Sequence, residues 1–392
     1  MENRTALFAR PASAYYLILG SLSILSALGL VMVLSASSVK ALSESGNSFA
    51  IVIRQALFLV ISAFLAWLAM NLKESLWLPQ ARLAIFVAAI FLVLPQVPGL
   101  GKEVGGNRNW IAIGSFSIQP SEFAKLGLIL WCAYRLRIHD KRMLERGTSN
   151  PLPLVAPGIG IVLALVMWGD DLGTAAVIAG IVGGILFIAG MQARYFATLS
   201  ALGIVGFAAF ILTSPNRLGR FSAFWDPFSE ENYKNEGWQQ AHSILGLASG
   251  GPLGTGLGSS KQKWGNLPEA HTDFIFSVIG EELGLLGTLT VLILYAILIL
   301  GIFRVALRAR NNFDRYVTGG IGCWIAVQVI MNIGTVISVM PVVGVTLPFI
   351  SYGGSSLIAT FIAIGYVLGV LRRDPEIAAE LKARKVARSA RG

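Results

Sequence analysis

The chain has 392 residues and a formal net charge of +10, and 55% of its residues are apolar while only 13% are charged. Its mean hydropathy is +0.68. A soluble domain cannot bury so much apolar surface, so the composition excludes an ordinary soluble protein and predicts a polytopic membrane protein. The two cysteines, Cys132 and Cys323, lie inside apolar runs and indicate buried thiols. No zinc spacing, P-loop or dinucleotide fingerprint is present.

The chain contains ten apolar segments that are long enough to be membrane spans, since a spanning helix needs about 20 mostly apolar residues. The fourth segment carries Glu122 and Lys125 in its first turns and is the least well marked. We therefore predict an all-α fold of ten transmembrane helices. They lie at about 15–38, 49–72, 81–98, 119–137, 153–170, 172–191, 195–213, 273–303, 315–340 and 345–371.

The distribution of Lys and Arg over the short loops predicts the orientation. The short loops on one side of the predicted helices hold only Lys40, Lys102 and Arg108, whereas those on the side of both termini are rich in Lys and Arg. Both termini are therefore predicted to be cytoplasmic. Residues 1–371 form a single membrane domain, and 372–392 form a basic tail. We interpret the tail as an anchor against anionic lipid and not as a nucleic-acid arm.

Residues 214–272 form a long predicted extracellular loop between helices 7 and 8. A loop of this length in a compact protein is usually functional or a linker. Three tryptophans, Trp225, Trp238 and Trp264, argue against a linker and are predicted to be interfacial anchors. We expect the segment to fold onto the outer mouth of the helical bundle, with an amphipathic helix at about 237–249.

Several predicted helices carry charged residues in their outer halves or at their outer ends, whereas the cytoplasmic halves of these helices contain no interior charge. Ionisable groups within a membrane normally pair or line a water-filled cavity, and they mark function. The pattern therefore predicts a polar cavity that opens to the outside, with no counterpart in the cytoplasmic halves. The charged residues concerned are Arg54, Glu122, Lys125, Asp171, Asp273, Glu281 and Glu282.

The eighth predicted helix has one face made of small residues. Asp273, Ser277, Gly280 and Gly284 follow helical spacing, so a neighbouring helix or a lipid tail could approach that face closely. Glu281 lies on the adjoining face and Glu282 nearly opposite.

Structural alternatives remain open for each of these charges. Glu122 and Lys125 could form an internal ion pair, and Arg54 could extend towards the outer headgroups. Glu281 and Glu282 could pair with Arg54 or Lys125 and hold the bundle together. Asp273 could serve only as a helix N-cap.

Four motifs, in order along the chain, resemble the SEDS family (shape, elongation, division and sporulation). They are NWIAIGSFSIQPSEFAK (109–125), WDPF with GWQQAHSILGLASGG (225–251), LPEAHTDFIFSVIGEELG (267–284) and GVTLPFISYGGSS (344–356). The resemblance covers nearly the whole chain. The third motif and the basic tail favour the cell-division branch over the elongation branch.

The resemblance implies a ten-span inverting peptidoglycan glycosyltransferase whose substrate is lipid II, an undecaprenyl-pyrophosphate-linked disaccharide-pentapeptide. The essential aspartate of the family matches Asp273. The implied partners are a class B penicillin-binding protein, which is a transpeptidase, and other divisome proteins at the division septum of the plasma membrane. Many members have Pro-Asp before the glycine of helix 6, whereas this chain has Asp170 and Asp171; we carry over Asp171 only.

The residues suit that reaction on chemical grounds. A carboxylate at the cavity mouth, Asp273, can serve as the general base for a sugar hydroxyl, and cations can stabilise the leaving pyrophosphate. The expected substrate-binding residues are Arg54, Glu122, Lys125, Glu281, Lys261, Lys263 and Ser351. No dedicated metal cage is evident, although a divalent cation (Mg²⁺ or Mn²⁺) that bridges Asp273 or Glu281 to the pyrophosphate is left open.

A transporter is the alternative function, because discontinuous helices around a polar cavity would also suit a lipid II flippase. The one-sided charge and the lack of an internal repeat argue against it.

Overall fold

The structure is a computed structural model that describes residues 12–104, 107–114, 116–146, 150–212 and 215–389. Its described residues form fourteen α-helices, and ten of these lie at the ten predicted segments. The ten are α1 (Ser13–Ser45), α2 (Ala50–Asn71), α3 (Glu74–Val93), α4 (Pro120–Arg146), α5 (Leu152–Trp168), α6 (Leu172–Ile188), α7 (Ala193–Leu212), α11 (Ile275–Arg308), α12 (Asn312–Val336) and α13 (Gly354–Arg373).

Six of the helices are long and apolar enough to cross a membrane, namely α1, α2, α11, α12, α13 and α3 with the 3₁₀ turn that follows it. Two further apolar helices, α5 and α6, have 17 residues each. The chain is therefore an integral membrane protein, while the count of ten spans stays a prediction.

Helix α12 lies at the centre of the bundle, against α4, α6 and α11. Its Trp324 and Ile325 are fully buried. Around this centre α1 packs along α11, α2 along α13 and α3 along α4. Helices α2 and α3 instead expose much of their apolar surface, as helices that face lipid do. Cys132 is buried, Cys323 is partly buried and both are free thiols, as predicted.

The fold is mainly helical, as predicted, but the predicted loop between α3 and α4 contains β structure that was not predicted. There a small antiparallel sheet is formed by β1 (Gly101–Val104), β2 (Asn107–Ile113) and β3 (Phe116–Ile118), in the order β1-β2-β3. Ile111 of β2 is buried and pairs with Ile118. The segment was predicted as a loop because it is too short and too polar for a span, and the alternating side chains of its strands let one face cover the bundle.

The predicted loop 214–272 is folded wherever it is described. It contains α8 (Pro215–Trp225), α9 (Glu230–Tyr233), α10 (Trp238–Gly250) and a 3₁₀ turn at Gln262–Trp264. The amphipathic helix predicted at 237–249 is confirmed as α10. It packs on α11, where Ser277 Oγ donates to the Ser243 carbonyl at 2.8 Å. The small face of α11 is therefore covered by α10.

Two predicted helices differ from the observed ones at the same end of the bundle. Helix α11 begins at Ile275 and is bent at Gly284, which has φ 67° and ψ −162°. The last predicted span, 345–371, begins as a helix only at Gly354. Residues 337–353, called here the α12–α13 loop, are non-helical, and their central part at 347–351 is buried.

The basic tail forms α14 (Pro375–Ser389). Its Glu380 accepts a hydrogen bond of 3.0 Å from the backbone N–H of Ala12, just before α1. Before α14, Asp374 lies 3.3 Å from Arg310, and Arg373 lies 3.5 Å from Asp314 at the start of α12. These contacts bind the tail to the end of the bundle opposite the α12–α13 loop.

Candidate active site around Asp273

Asp273 lies two residues before α11 and is half-buried. It is not the N-cap of α11, since Phe274 has that position, so the capping alternative was wrong. A methyl group on Gly344 would lie 3.7 Å from Oδ2 of Asp273. The carboxylate therefore lies beside the α12–α13 loop at one end of the bundle.

The surroundings of Asp273 make its carboxyl group a weaker acid than a free aspartic acid. Burial is the main cause, and the negative charges of Glu269 and Asp171 add to it, so that its pKa is raised from 3.8 to about 7. A base with a pKa near the working pH combines a high ionised fraction with strong proton affinity. The Asp273 carboxylate is therefore suited to accept a proton.

The α12–α13 loop keeps its non-helical backbone because side chains from three helices donate to its carbonyl groups. Gln328 of α12 donates to the Thr346 carbonyl at 3.0 Å, and Asn332 donates to that of Val345 at 2.7 Å. Tyr295 of α11 donates to Pro348, and Gln55 of α2 donates to Ser351 at 3.1 Å. Non-helical backbone at membrane depth requires partners of this kind.

The same loop is bonded directly to the residues that precede Asp273. Ser351 Oγ donates to the Thr272 carbonyl at 2.6 Å, and the Tyr352 N–H donates to the His271 carbonyl at 3.0 Å. Burial, followed by the charge of Lys40, lowers the pKa of His271 to about 4. His271 is therefore neutral at physiological pH. Ser351, a predicted binding residue, lies within this network beside Asp273.

Asp171 is the N-cap of α6 and connects three parts of the chain. It accepts hydrogen bonds from the Thr174 N–H at 2.9 Å, from Asn109 of β2 at 2.6 Å and from Gln119 at 3.2 Å. Its Oδ2 also accepts from the Thr174 hydroxyl. Asp171 thus anchors the small sheet to the bundle, and its charge acts on Asp273.

Glu122 and Lys125 form the internal ion pair that was left open as an alternative. Lys125 Nζ lies 2.8 Å from Glu122 Oε1 and 3.1 Å from Gln328 Oε1, and it lies over the ring of Trp324. Gln328 in turn donates to the α12–α13 loop at Thr346. Glu122 and Lys125, both predicted binding residues, are therefore connected to the loop beside Asp273 through the side-chain amide of Gln328.

Arg54 is exposed on α2 and has no hydrogen-bond or ion-pair partner within the part of the chain that the structure describes. The next residue, Gln55, is buried and bonds the backbone of residues 351 and 353. Arg54 therefore projects from the helix turn that supports the α12–α13 loop, and its guanidinium is available to a ligand.

The remaining predicted binding residues lie in a second network around the bend of α11. Glu281 accepts from Ser260 Oγ at 2.5 Å and from the Lys261 N–H at 2.8 Å. Glu282 accepts from Ser35 of α1 at 2.6 Å and lies 3.5 Å from Lys263 Nζ. The alternative that these acids pair with Arg54 or Lys125 was wrong.

This second network ties segment 250–263 to α1 and α11. Glu281 and Lys263 are buried supports within it, whereas the side chain of Lys261 is exposed. Direct contact of these three residues with substrate stays a prediction. The role of Glu281 and Glu282 was not visible in the sequence, because their partners lie in segment 250–263 and on α1, and no periodicity connects those positions to α11.

Backbone strain is concentrated near the α12–α13 loop. Among the described residues, the non-glycine residues with positive φ are Asp170, Glu269, Ser338 and Phe349. The first two lie next to Asp171 and close to Asp273, and the other two belong to the loop. Residues held in such conformations cluster at functional sites, where the surrounding structure stabilises them.

Few side chains around Asp273 could act as ligands for a divalent cation. The described residues contain no group of three or more His, Cys, Asp and Glu side chains that could hold a metal ion. The oxygens of Glu281 already accept hydrogen bonds from Ser260, Lys261 and Gln262, so Glu281 does not suit the bridging role that was left open. Asp273 alone would be available to such an ion.

Two glutamines and an asparagine were not predicted as site residues, although they connect the site. Gln328 and Asn332 stand out in the sequence as polar residues in the outer half of an apolar helix, but no role was assigned to them. Gln55, next to Arg54, is likewise a polar residue within an apolar helix. Their partners could not be predicted, because the α12–α13 loop was expected to belong to a helix.

Comparison with known proteins identifies the family of the chain. A family model described as "Cell cycle protein", which covers FtsW, RodA and SpoVE, matches residues 15–375. The chain is 38% identical to stage V sporulation protein E of Bacillus subtilis over 89% of this chain and 94% of that protein. It is 36% identical to the probable peptidoglycan glycosyltransferase FtsW of Legionella pneumophila over 92% of each chain.

Two solved structures share the fold. A chain of a peptidoglycan synthase complex, described for its coordination of polymerization and crosslinking, has a TM-score of 0.73 and 29% identity and covers 91% of this chain and 96% of that one. The rod shape determining protein RodA of Thermus thermophilus has a TM-score of 0.66 and 29% identity over 91% of this chain and 96% of that one. The chain therefore belongs to the SEDS family, the family of FtsW, RodA and SpoVE.

Proposed function

We propose that this protein is an inverting peptidoglycan glycosyltransferase that polymerises lipid II, with Asp273 as the general base. The observation that carries the proposal is the half-buried Asp273 carboxylate, whose pKa is raised to about 7, beside a loop held by side chains of three helices. The names of the relatives, which include peptidoglycan glycosyltransferases, support the same reaction.

In the proposed reaction, a sugar hydroxyl of one substrate attacks the anomeric carbon of another. The Asp273 carboxylate takes the hydroxyl proton as the new glycosidic bond forms. The bond from the anomeric carbon to the lipid pyrophosphate breaks, and the pyrophosphate leaves with the bonding electron pair. Because pyrophosphate is a good leaving group, no general acid is required, and one base suffices.

The leaving pyrophosphate needs positive charge. Arg54 is exposed and has no partner among the described residues, so it is the first candidate, and the exposed side chain of Lys261 is the second. The charge of Lys125 is already balanced by Glu122, so its proposed role is to hold Gln328 and the α12–α13 loop. No step depends on a metal ion; Mg²⁺ or Mn²⁺ on Asp273 stays a prediction.

We further propose that the Asp273 end of the bundle faces the outside of the plasma membrane and that both termini are cytoplasmic. The excess of Lys and Arg in the short loops at the opposite end supports this orientation. The similarity to a chain of a peptidoglycan synthase complex supports a class B penicillin-binding protein as partner. Action at the division septum, with other divisome proteins, rests on the FtsW relatives.

Polymerisation of purified lipid II by the detergent-purified protein, with and without its transpeptidase partner, tests the proposal. Asp273→Asn is expected to abolish polymer while its unfolding temperature stays at or above that of the wild type. Glu230→Gln is the matched control, because it changes an exposed carboxylate of the same outer segment to an amide. Normal polymer from Asp273→Asn would remove Asp273 as the base.

A lipid II flippase is the alternative function, and two observations favour it. The α12–α13 loop interrupts the helical structure at the site, as in many secondary transporters. The expectation that the opposite helix ends lack buried charge was wrong, because Asp314 is buried there and accepts a hydrogen bond from Tyr366. Transport of labelled lipid II across vesicles without any polymer would support this alternative over the transferase.

A further inference from the structure

We propose that Asn332 is a positioning residue that holds the backbone at Asp273 and thereby fixes the direction of its carboxylate. The proposal rests on the proposed function of Asp273 as the base. It adds a residue that does not touch the reacting atoms and acts only through Asp273.

The geometry of one side-chain amide carries the proposal. Asn332 Nδ2 lies 2.7 Å from the carbonyl oxygen of Asp273 and 2.7 Å from that of Val345. Asn332 is 1% exposed and lies inside α12, the central helix of the bundle. Both N–H groups of a single rigid amide are therefore used to join the segment before α11 to the α12–α13 loop.

Other hydrogen bonds of Asp273's surroundings act on neighbouring residues and not on Asp273 itself. Ser351 Oγ donates to the carbonyl of Thr272, and the Tyr352 N–H donates to that of His271. Asn332 is thus the side chain that binds the peptide group of Asp273 directly. Without it, the described part of the chain would hold this peptide group only through the Phe274 N–H, which donates to the Glu269 carbonyl at 3.2 Å, and this single longer bond would let the carboxylate turn away from the loop.

Only the donor half of the amide is used. Asn332 Oδ1 is buried and has no hydrogen-bond partner among the described atoms. Aspartate at this position would keep the shape of the side chain and its acceptor oxygens but could donate at most one hydrogen bond, and only when protonated. Asn332→Asp therefore tests donation, and Asn332→Leu tests the same loss without an added charge.

Thr335 offers a matched control one turn further along α12. It is 4% exposed, and its hydroxyl donates to the Pro341 carbonyl at 3.1 Å, at the beginning of the same loop. Thr335→Val removes one buried hydrogen bond to the loop with almost no change of shape, and it leaves the Asp273 peptide group untouched.

The experiment measures kcat, KM and the pH dependence of lipid II polymerisation by the full-length protein, with unfolding temperatures of each variant. For Asn332→Leu and Asn332→Asp we expect kcat to fall by about 10- to 100-fold while KM changes less than about twofold, because misplacement of a reacting group by about 1 Å has an effect of this size. For Thr335→Val we expect kcat within about twofold of the wild type.

The pH profile separates positioning from a general loss of structure. The charges that raise the pKa of Asp273 are those of Glu269 and Asp171, and His271 and Lys40 lie near Glu269; none of these four residues changes in the Asn332 variants. A carboxylate that turns towards water becomes a stronger acid, so the acidic limb of kcat is expected to move to lower pH in Asn332→Leu. Thr335→Val is expected to keep the wild-type limb.

Two results would overturn the inference. One is a wild-type kcat in Asn332→Leu when Asp273→Asn is inactive. That result would keep Asp273 as the proposed base and reject the positioning role of Asn332. The other is an equal loss of kcat in Asn332→Leu and Thr335→Val, with unshifted acidic limbs, which would assign both residues to loop stability. Full activity of Asp273→Asn would instead reject the proposed function itself.

Discussion

The ammonium group of Lys125 lies 2.8 Å from Glu122 Oε1, one turn earlier on α4, and the two side chains are 2% and 7% exposed. A buried pair of this kind is costly to break, because the remaining charge loses its partner without regaining water. The pair also holds Gln328, so it connects the interior of α4 to the loop at the site.

The first prediction concerns this pair. Lys125→Met is expected to lower the free energy of unfolding by about 3–5 kcal/mol, since it leaves the Glu122 carboxylate buried alone. The double variant Glu122→Gln/Lys125→Met is expected to recover most of that loss. Thermal unfolding in detergent measures both. A single variant as stable as the double variant would contradict the assignment of the pair as structural.

The second prediction concerns the pH dependence of catalysis. A general base must be ionised, so kcat/KM, which reports the free enzyme, is expected to rise with pH and to be half-maximal near pH 7, the pKa of Asp273. His271, whose pKa is lowered to about 4, stays neutral over this range and does not contribute to the limb. Initial rates of polymerisation measured from about pH 5 to about pH 9 define the acidic limb of this pH profile.

Glu269→Gln provides the control for that limb. The charge of Glu269 raises the pKa of Asp273, so its removal favours the ionised carboxylate and is expected to move the limb to lower pH. A limb that moves to higher pH would contradict the assignment to Asp273.

The third prediction compares two lysine–glutamate pairs. Lys263→Met removes the partner of Glu282, whose side chain is fully buried, and is expected to destabilise the protein by about 3–5 kcal/mol. Lys234→Met removes an exposed partner of Glu230 and is expected to cost about 0–1 kcal/mol. Unfolding curves of the two variants measured side by side give the difference. Equal effects would show that the second network does not support α11.

The fourth prediction concerns the bend of α11. Gly284 has a backbone conformation that is essentially restricted to glycine, and a Cβ there would collide with the backbone of residues 251–254. Gly284→Ala is expected to lower stability by at least about 3 kcal/mol. Gly160→Ala on α5, where a Cβ meets nothing within 4 Å, is expected to stabilise by about 0.5–1 kcal/mol. Thermal unfolding separates the two outcomes, and similar effects of both variants would contradict this account.

Much of the helical architecture could be predicted because apolar length is a strong signal for a chain in lipid. The predicted helix boundaries were wrong where the backbone is not helical but is still buried. The α12–α13 loop is as apolar as a span, with Leu347, Phe349 and Ile350 almost fully buried, so hydropathy assigned it to a helix. Its true conformation depends on Gln55, Gln328 and Asn332, which are distant in sequence.

The location of the charged residues could be predicted from the sequence, but their individual roles could not. Their position at one end of the bundle followed from the pattern, but their partners did not. Glu281 and Glu282 bind Ser260, Lys261 and Lys263, and no periodicity connects a helix to such a segment. Lys125 and Glu122 could be paired in advance, because residues three apart on a helix are neighbours.

The hydrogen bond between Ala12 and Glu380 restricts the transmembrane topology as a whole. Residues that touch each other at 3.0 Å lie on the same side of a bilayer, because its apolar core is about 30 Å thick. The chain between them must therefore traverse the bilayer an even number of times, whichever way the protein is inserted. Ten crossings satisfy this parity, and nine or eleven do not.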